Sequence, residues 1–203
     1  MNLENEIVLV TGASRGIGKA IAQTLSAAGA TVIGTATSDA GAEKITQYLS
    51  PKGGKGMFLD VADDESIKTV IKAIKDEFGA ISILVNNAGI IRDNLIKNIS
   101  EQDWDQVLNV NLKGAFLCCQ AVFPTLKAQQ YGKIINIVSR AWLGSIGQAN
   151  YTASKGGLVS LTRSLALEFA RFQINVNAVA PGVIDTPMTQ GMPPEARERL
   201  IRM

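Results

Sequence analysis

The sequence predicts an α/β fold, a doubly wound parallel sheet with helices on both faces. Three observations predict it. Short β-branched runs recur at 7–12 (IVLVTG), 31–36 (TVIGTA), 54–61 (GKGMFLDV), 81–88 (ISILVNNA), 132–139 (GKIINIVS) and 174–181 (INVNAVAP). Amphipathic stretches of helical length separate them, and a glycine-rich turn follows the first strand. Strands alternating with helices of this length imply right-handed βαβ crossovers, which align the strands in parallel.

The first helix carries Ile17, Ile21 and Leu25 on one face and stops at Gly29, a residue suited to a helix C-terminus. Further helices are expected over about 39–50, 64–78, 100–128 and 150–172. Ser100 followed by Asp103 has the pattern of a helix start. No linker, repeat or low-complexity segment interrupts the alternation, so residues 1–203 read as one domain.

Composition narrows the function. A hydrophobic fraction of 46% suits a domain whose sheet is mostly buried. A net charge of +2 is too small to point to nucleic acid or a membrane surface. No run approaches the roughly 18 apolar residues of a membrane span. The start MNLENEIVLVTG carries acids and runs into a strand, unlike a signal peptide. Cys118 and Cys119 are neighbours with no third cysteine, so they are expected to be reduced and structural. A cytoplasmic protein is the simplest expectation. We assign no metal site.

In such sheets ligands bind at the carboxyl ends of the strands, near the switch in strand order. Gly12 to Gly18, Asp60, Asn87 to Gly89, Ser139 and Pro181-Gly182 all follow expected strand ends. In TGASRGIG, Gly12, Gly16 and Gly18 allow a tight turn and close backbone approach, and the following helix N-terminus suits a pyrophosphate. The spacing is G-x-x-x-G-x-G rather than G-x-G-x-x-G. A turn that binds nothing is the plain alternative.

The second strand ends in Thr35-Ala36-Thr37-Ser38, without the acid that grips a ribose 2′-hydroxyl in NAD enzymes. Arg15 in the glycine turn could pair with a 2′-phosphate, which favours NADP. Asp39 lies near where an NAD-type acid would fall. We read it instead as the cap or first turn of the next helix.

Tyr151 and Lys155 stand four residues apart in NYTASKGG, a spacing that puts both on one helix face. An ammonium beside a phenol favours the phenolate, so Tyr151 is expected to serve as acid and base near neutral pH. The chain has no histidine, so an acid–base enzyme built from it needs such a pair. A surface tyrosine beside a solvated lysine is the alternative.

TGASRGIG, NNAG at 86–89, the strand-end Ser139, Y-x-x-x-K at 151–155 and PG at 181–182 together resemble the short-chain dehydrogenases/reductases. The similarity runs from residue 1 to about residue 190. It implies a Rossmann-like sheet and NADPH-dependent reduction of a ketone. VIGTATS, IIRDNLI, GQANYTASKGG and NVNAVAPG are similar to segments of members that reduce 3-oxoacyl groups on acyl carrier protein in fatty acid biosynthesis. A loaded acyl carrier protein is therefore the implied partner. Acetoacetyl-CoA, another small ketone or an alcohol is the alternative substrate. A non-catalytic NADP-binding module is the alternative from another class.

The resemblance also implies roles. Tyr151 would give its proton to the substrate carbonyl oxygen. Lys155 would bond the nicotinamide ribose and lower the Tyr151 pKa. Ser139 would hold and polarise the carbonyl. Asn111, in NVNLKGAF, would sit in a disturbed helix turn and hold a water that relays protons to Lys155. Gly12, Ala13, Ser14, Arg15, Gly16, Gly18, Thr37, Asp60, Val61, Asn87, Ala88, Gly89 and Ile184 would line the cofactor, with Tyr151 and Lys155. Asn111 as a buried partner of the backbone, Ser139 as a plain strand-end hydroxyl and Asp60 as a turn residue remain alternatives.

Two departures from the family stand out. Ser139 lies twelve residues before Tyr151, where many members have thirteen, and the missing residue falls in SRAWLGSIG. Trp142 is then a candidate wall of the substrate pocket. The chain also stops at Met203, where members usually run on through a seventh strand and part of a homotetramer interface. Six strands are expected here. Residues 182–203 read as a flap over the substrate or a frayed terminus. Lys127, Lys133 and Arg171 are candidates for docking an acidic carrier at the active-site rim. Gln129 and Phe172 stand where the family tends to have basic residues.

Overall fold

The computed structural model describes residues 2–185. Six strands form one parallel sheet: β1 Ile7–Val10, β2 Thr31–Ala36, β3 Lys55–Phe58, β4 Ile83–Asn86, β5 Gly132–Ile137 and β6 Ile174–Val179. Their order is β3-β2-β1-β4-β5-β6, so the switch point lies between β1 and β4. Three pairings fix the register there: Val8 with Ile83, Leu9 with Leu84 and Val10 with Val85. This is the Rossmann-like arrangement expected. β2 matches its run, and the other five strands are shorter than theirs because those runs continue into loops at the carboxyl edge. At β1 the break comes at Gly12, whose φ of +68° leaves the extended region.

Among the described residues the α-helices are α1 Gly16–Ala27, α2 Asp39–Leu49, α3 Asp64–Glu77, α4 Glu101–Leu108, α5 Gly114–Gln129 and α6 Ala149–Phe169. Local chemistry sets their starts. The Ser38 hydroxyl accepts from the Gly41 amide at 3.2 Å and opens α2. The Asp63 carboxylate accepts from the Glu65 amide at 3.0 Å and opens α3. Ser100 accepts from the Asp103 amide at 3.0 Å, the helix start its sequence pattern predicts. Gly29 follows α1 with φ +101°, as a helix-ending glycine does. The single helix expected over 100–128 is interrupted by a π-helical turn, Asn109–Lys113.

Alternate residues of the strands feed two cores, as a sheet covered on both faces requires. Leu9, Ile33, Leu84 and Ile134 point to one face, with Ile67, Ile74, Cys118, Leu126 and Phe169. Val8, Val10, Val32, Ile83 and Val85 point to the other, with Ile45 and Leu49. Each fully buried leucine or isoleucine contributes about 1.5–3 kcal/mol relative to exposure. Phe123 stacks on Phe169 with ring centroids 4.3 Å apart, joining α5 to α6. Cys118 and Cys119 are both free and buried. Burial pushes each thiol up to about 12, so they behave as small apolar groups.

By length and composition the helix Glu101–Gln129 is apolar enough to cross a membrane, which counting unbroken apolar residues does not reveal. In the fold Val107, Cys118, Cys119, Val122 and Leu126 of this helix are buried in the protein's own interior.

Candidate active site

A cleft of about 360 Å³ runs along the carboxyl edge of the sheet, from the glycine turn to Tyr151 and Lys155. Gly12, Ser14, Arg15, Gly16 and Gly18 line one end. Gly16 has φ +56°, as a tight turn into α1 requires. Gly18 is needed for packing. A Cβ there would lie 2.2 Å from the Gly12 carbonyl oxygen and 2.4 Å from Asn87 Nδ2. Arg15 occupies the cap position of α1 and its side chain makes no capping bond. The first amides of α1 therefore keep their capacity to hold an anion.

Thr11 is a residue that sequence reasoning missed. Its hydroxyl accepts from the Asn87 amide and the Ala88 amide, both at 3.0 Å. Asn87 returns the tie, donating through Nδ2 to the carbonyls of Thr11 and Gly12 at 2.9 Å each. The turn after β1 and the NNAG turn after β4 are thus one unit across the switch point. The TG that opens TGASRGIG was the available signal.

Further along, Thr37, Asp60 and Val61 line the cleft with Arg15. Asp60 is also a turn residue, since its Oδ1 accepts from the Ala62 amide at 2.9 Å. Asp39 stands in the first turn of α2, exposed, where its charge suits the helix N-terminus.

At the other end α6 carries Tyr151 in its first turn and Lys155 one turn later. The Lys155 ammonium donates to the Ile137 carbonyl at 2.8 Å and lies 5.7 Å from the Tyr151 ring centroid. Burial lowers its pKa to about 8. Ser139 acts on Tyr151, its hydroxyl lowering the pKa of the phenol. Ser139 also accepts from the Ala141 amide at 3.2 Å, which fixes its side chain at the end of β5.

The expected lowering of the Tyr151 pKa is corrected here. The protein raises it, chiefly by burial, against the lowering effect of the Ser139 hydrogen bond, and the Asp93 charge adds to the rise. Taking a phenolate out of water costs more than these surroundings return.

Asn111 sits in the π turn, the disturbed helix expected, and is buried. Its side chain is committed to protein groups. Oδ1 accepts from the Ile90 amide at 2.8 Å. Nδ2 donates to the Ile90 carbonyl at 2.9 Å and to the Ser154 hydroxyl at 3.2 Å. Both amide protons are used, so the alternative of a buried partner to the backbone describes its side chain. Ala88 and Gly89 line the cleft between Asn111 and the glycine turn.

Four further expected groups lie off this cleft. Ala13 does not line the cleft. It is fully buried, with its amide donating to the Thr35 carbonyl at 2.8 Å. Ile184 lines an apolar groove of about 650 Å³ over α1, with Ile21, Leu25 and Val179, which adjoins the cleft at Gly16 and Ile17. As far as residue 185 the chain runs from β6 through Pro181 toward α1. Trp142 is partly exposed on a short 3₁₀ turn and is not a wall of the cleft. Lys127, Lys133 and Arg171 lie at the wrong edge of the sheet. Lys133 stands at the start of β5 and Ser139 beyond its end, some six residues or about 20 Å apart. Lys127 closes α5, and Arg171 precedes β6. The flap expected over 182–203 lies, from residue 186 on, outside the described residues.

Comparison with known proteins agrees with this geometry. A profile described as short chain dehydrogenase matches residues 6–197. The 3-oxoacyl-[acyl-carrier-protein] reductase FabG of Vibrio cholerae is 50% identical over 198 residues, covering 97% of this chain and 81% of that protein. The protein of the same name from Escherichia coli is 48% identical, covering 99% of this chain and 82% of its own length. That from Pseudomonas aeruginosa is 48% identical, with 99% and 83% covered. The matched span takes in both ends of the cleft, the glycine turn and the tyrosine–lysine helix, and on that ground the chain belongs to the short-chain dehydrogenase family of oxidoreductases.

Proposed function

We propose that the protein reduces 3-oxoacyl groups carried on acyl carrier protein to 3-hydroxyacyl groups, using NADPH, as a step of fatty acid biosynthesis in the cytoplasm. The observation that carries this reading is the pair Tyr151 and Lys155, one turn apart on α6, at the end of the cleft that begins at the glycine turn. The names of relatives 48–50% identical supply the substrate class. We take residues 1–203 as one domain.

The cleft fits a dinucleotide. The uncapped α1 start suits its pyrophosphate. Arg15 and Thr37 flank the place for a 2′-phosphate, and Asp39 serves its own helix, which favours NADP over NAD. When bound, the nicotinamide supplies the hydride. The residues supply the rest. Negative charge grows on the substrate carbonyl oxygen, and two hydroxyls aimed at that point stabilise it. Tyr151 then hands over its proton. Its raised pKa keeps the phenol protonated, the form that reduction needs. Lys155, buried with its ammonium held by Ile137, stands one helix turn behind to restore charge balance. Asn111 positions the site by joining Ile90 to Ser154, whose hydroxyl donates to the Tyr151 carbonyl at 2.7 Å.

The far position of Lys127, Lys133 and Arg171 favours one other reading, an acyl-CoA thioester as substrate. The test is NADPH oxidation followed by absorbance, with acetoacetyl groups on acyl carrier protein and on CoA in parallel. Turnover with the higher kcat/KM on the carrier supports the proposal, and a higher value on CoA supports the second reading. NADPH binding without turnover on either would mean a non-catalytic binding module.

A further inference from the structure

Three consecutive residues after β4 grip the start of α6. The Arg92 carbonyl accepts from Asn150 Nδ2 at 3.0 Å. The Asp93 carboxylate accepts from Gln148 Nε2 at 2.8 Å. The Asn94 amide donates to the Gly147 carbonyl at 2.8 Å, and Asn94 and Gln148 form an isolated parallel bridge. Asn150, fully buried, also accepts from the Tyr151 amide at 2.8 Å. The helix that carries Tyr151 is therefore clasped at its first turn by the loop that follows the NNAG turn.

This helix start lacks what a helix start usually has. Gln148 at the cap position makes no capping bond, and the first turn of α6 holds no acid. Asp93 brings a carboxylate to that place from another segment. The neighbouring cation, Arg92, faces Asp103, with Nε 3.8 Å from Oδ1. The groups that act on the Tyr151 phenol are Ser139 from the end of β5, Lys155 from α6 and Asp93 from the loop after β4. Asp93 is the anion among them.

We propose that Asp93 is a positioning residue for the reaction: gripped by Gln148, it ties the loop after β4 to the start of α6 and holds a negative charge at the helix turn that carries Tyr151. The inference rests on the reductase reading above. A phenol next to an anion gives up its proton at higher pH. The clasp therefore keeps the acid loaded, in agreement with the upward effect of Asp93 on Tyr151. Gln148 neutralises none of this charge, because an amide donor holds a carboxylate without cancelling it.

Asp93→Asn tests this, being isosteric and uncharged. Phenolate absorbance is titrated in wild type and in Asp93→Asn, each corrected with the matching Tyr151→Phe protein, so that Tyr48 and Tyr131 cancel. This reading needs no turnover. The Tyr151 signal is expected to appear at lower pH in Asp93→Asn, with Asp93→Glu restoring the wild-type curve. The alkaline limb of the reductase pH profile should move down by the same amount, with KM for NADPH unchanged. Superimposable phenolate curves overturn the proposal. A phenolate shift in a wild type that turns over no ketone overturns the reductase reading instead. Should Asp93→Asn fail to fold, Gln148→Met keeps the charge and removes the grip. A kcat about tenfold lower at unchanged NADPH affinity then supports the clasp, and a wild-type kcat overturns it.

Discussion

The Lys155 ammonium is fastened 2.8 Å from the carbonyl oxygen of Ile137, the last residue of β5. The cation is thus buried against the sheet rather than presented to solvent, and the cost shows in its pKa, lowered from 10.5 to about 8 by burial. Between those two values the unfolded chain binds more protons than the folded one. Stability therefore rises with pH across that window, and the full penalty applies below about pH 8. Lys155→Met removes the titration. The stability of wild type relative to Lys155→Met is expected to rise by about 3 kcal/mol from pH 7.5 to pH 10.5. Urea unfolding at both values measures it. Taking the difference cancels the buried cysteines and tyrosines, whose raised pKa values act the other way. A flat difference would show that Lys155 titrates normally.

Tyr151→Phe and Ser139→Ala separate chemistry from binding. In the proposed reaction both hydroxyls hold the substrate oxygen, and neither is needed to build the glycine turn. Tyr151→Phe is expected to lose about 10²–10⁴ in kcat. Ser139→Ala removes one donor to the developing charge, a loss of about 10²–10³. NADPH affinity, read by fluorescence, should stay near wild type in both. Turnover near wild type in Tyr151→Phe would remove the phenol from the mechanism.

Much of this was legible in the sequence, for identifiable reasons. The strands could be read because a sheet covered on both faces demands apolar residues at successive positions, as in Val8-Leu9-Val10. Ser100 caps a helix through a bond spanning three residues, so local pattern suffices. What escaped depends on distance along the chain. Asn111 meets Ile90 and Ser154, separated from it by 21 and 43 residues. The sign of the Tyr151 shift could not be read either, since burial is a property of the packed molecule. The misplacement of Lys133 was avoidable. It opens a parallel strand whose other end carries Ser139, and strand direction alone puts the two at opposite edges.

Cofactor preference is expected to turn on Arg15. Arg15 and Thr37 both line the cleft, and Asp39 stands in the first turn of α2. A charge-assisted pair with a 2′-phosphate contributes about 1.5–3 kcal/mol. Arg15→Ala should thus lower kcat/KM for NADPH by about 10- to 100-fold while leaving the value for NADH nearly unchanged. Equal losses with both cofactors would mean that Arg15 shapes the turn and does not read the 2′-phosphate.

Gly18→Ala tests whether the glycine turn and the NNAG turn form one unit. The added Cβ would meet the Gly12 carbonyl oxygen at 2.2 Å and Asn87 Nδ2 at 2.4 Å. One of these is backbone, held in the turn, so the clash is not relieved by a rotamer change. The Asn87 side chain must yield, and with it the 2.9 Å bonds to Thr11 and Gly12 that join β1 to β4. Overpacking of this kind costs about 1–3 kcal/mol, and a broken buried hydrogen bond adds about 1–3 kcal/mol. The midpoint of urea unfolding should fall accordingly, with NADPH affinity falling alongside because Gly18 and Asn87 both line the cleft. Asn87→Ala, which removes the same bonds without adding a Cβ, should lose stability by the hydrogen-bond share alone. If Gly18→Ala is as stable as wild type, the two turns move independently and the cleft is built differently at its glycine end.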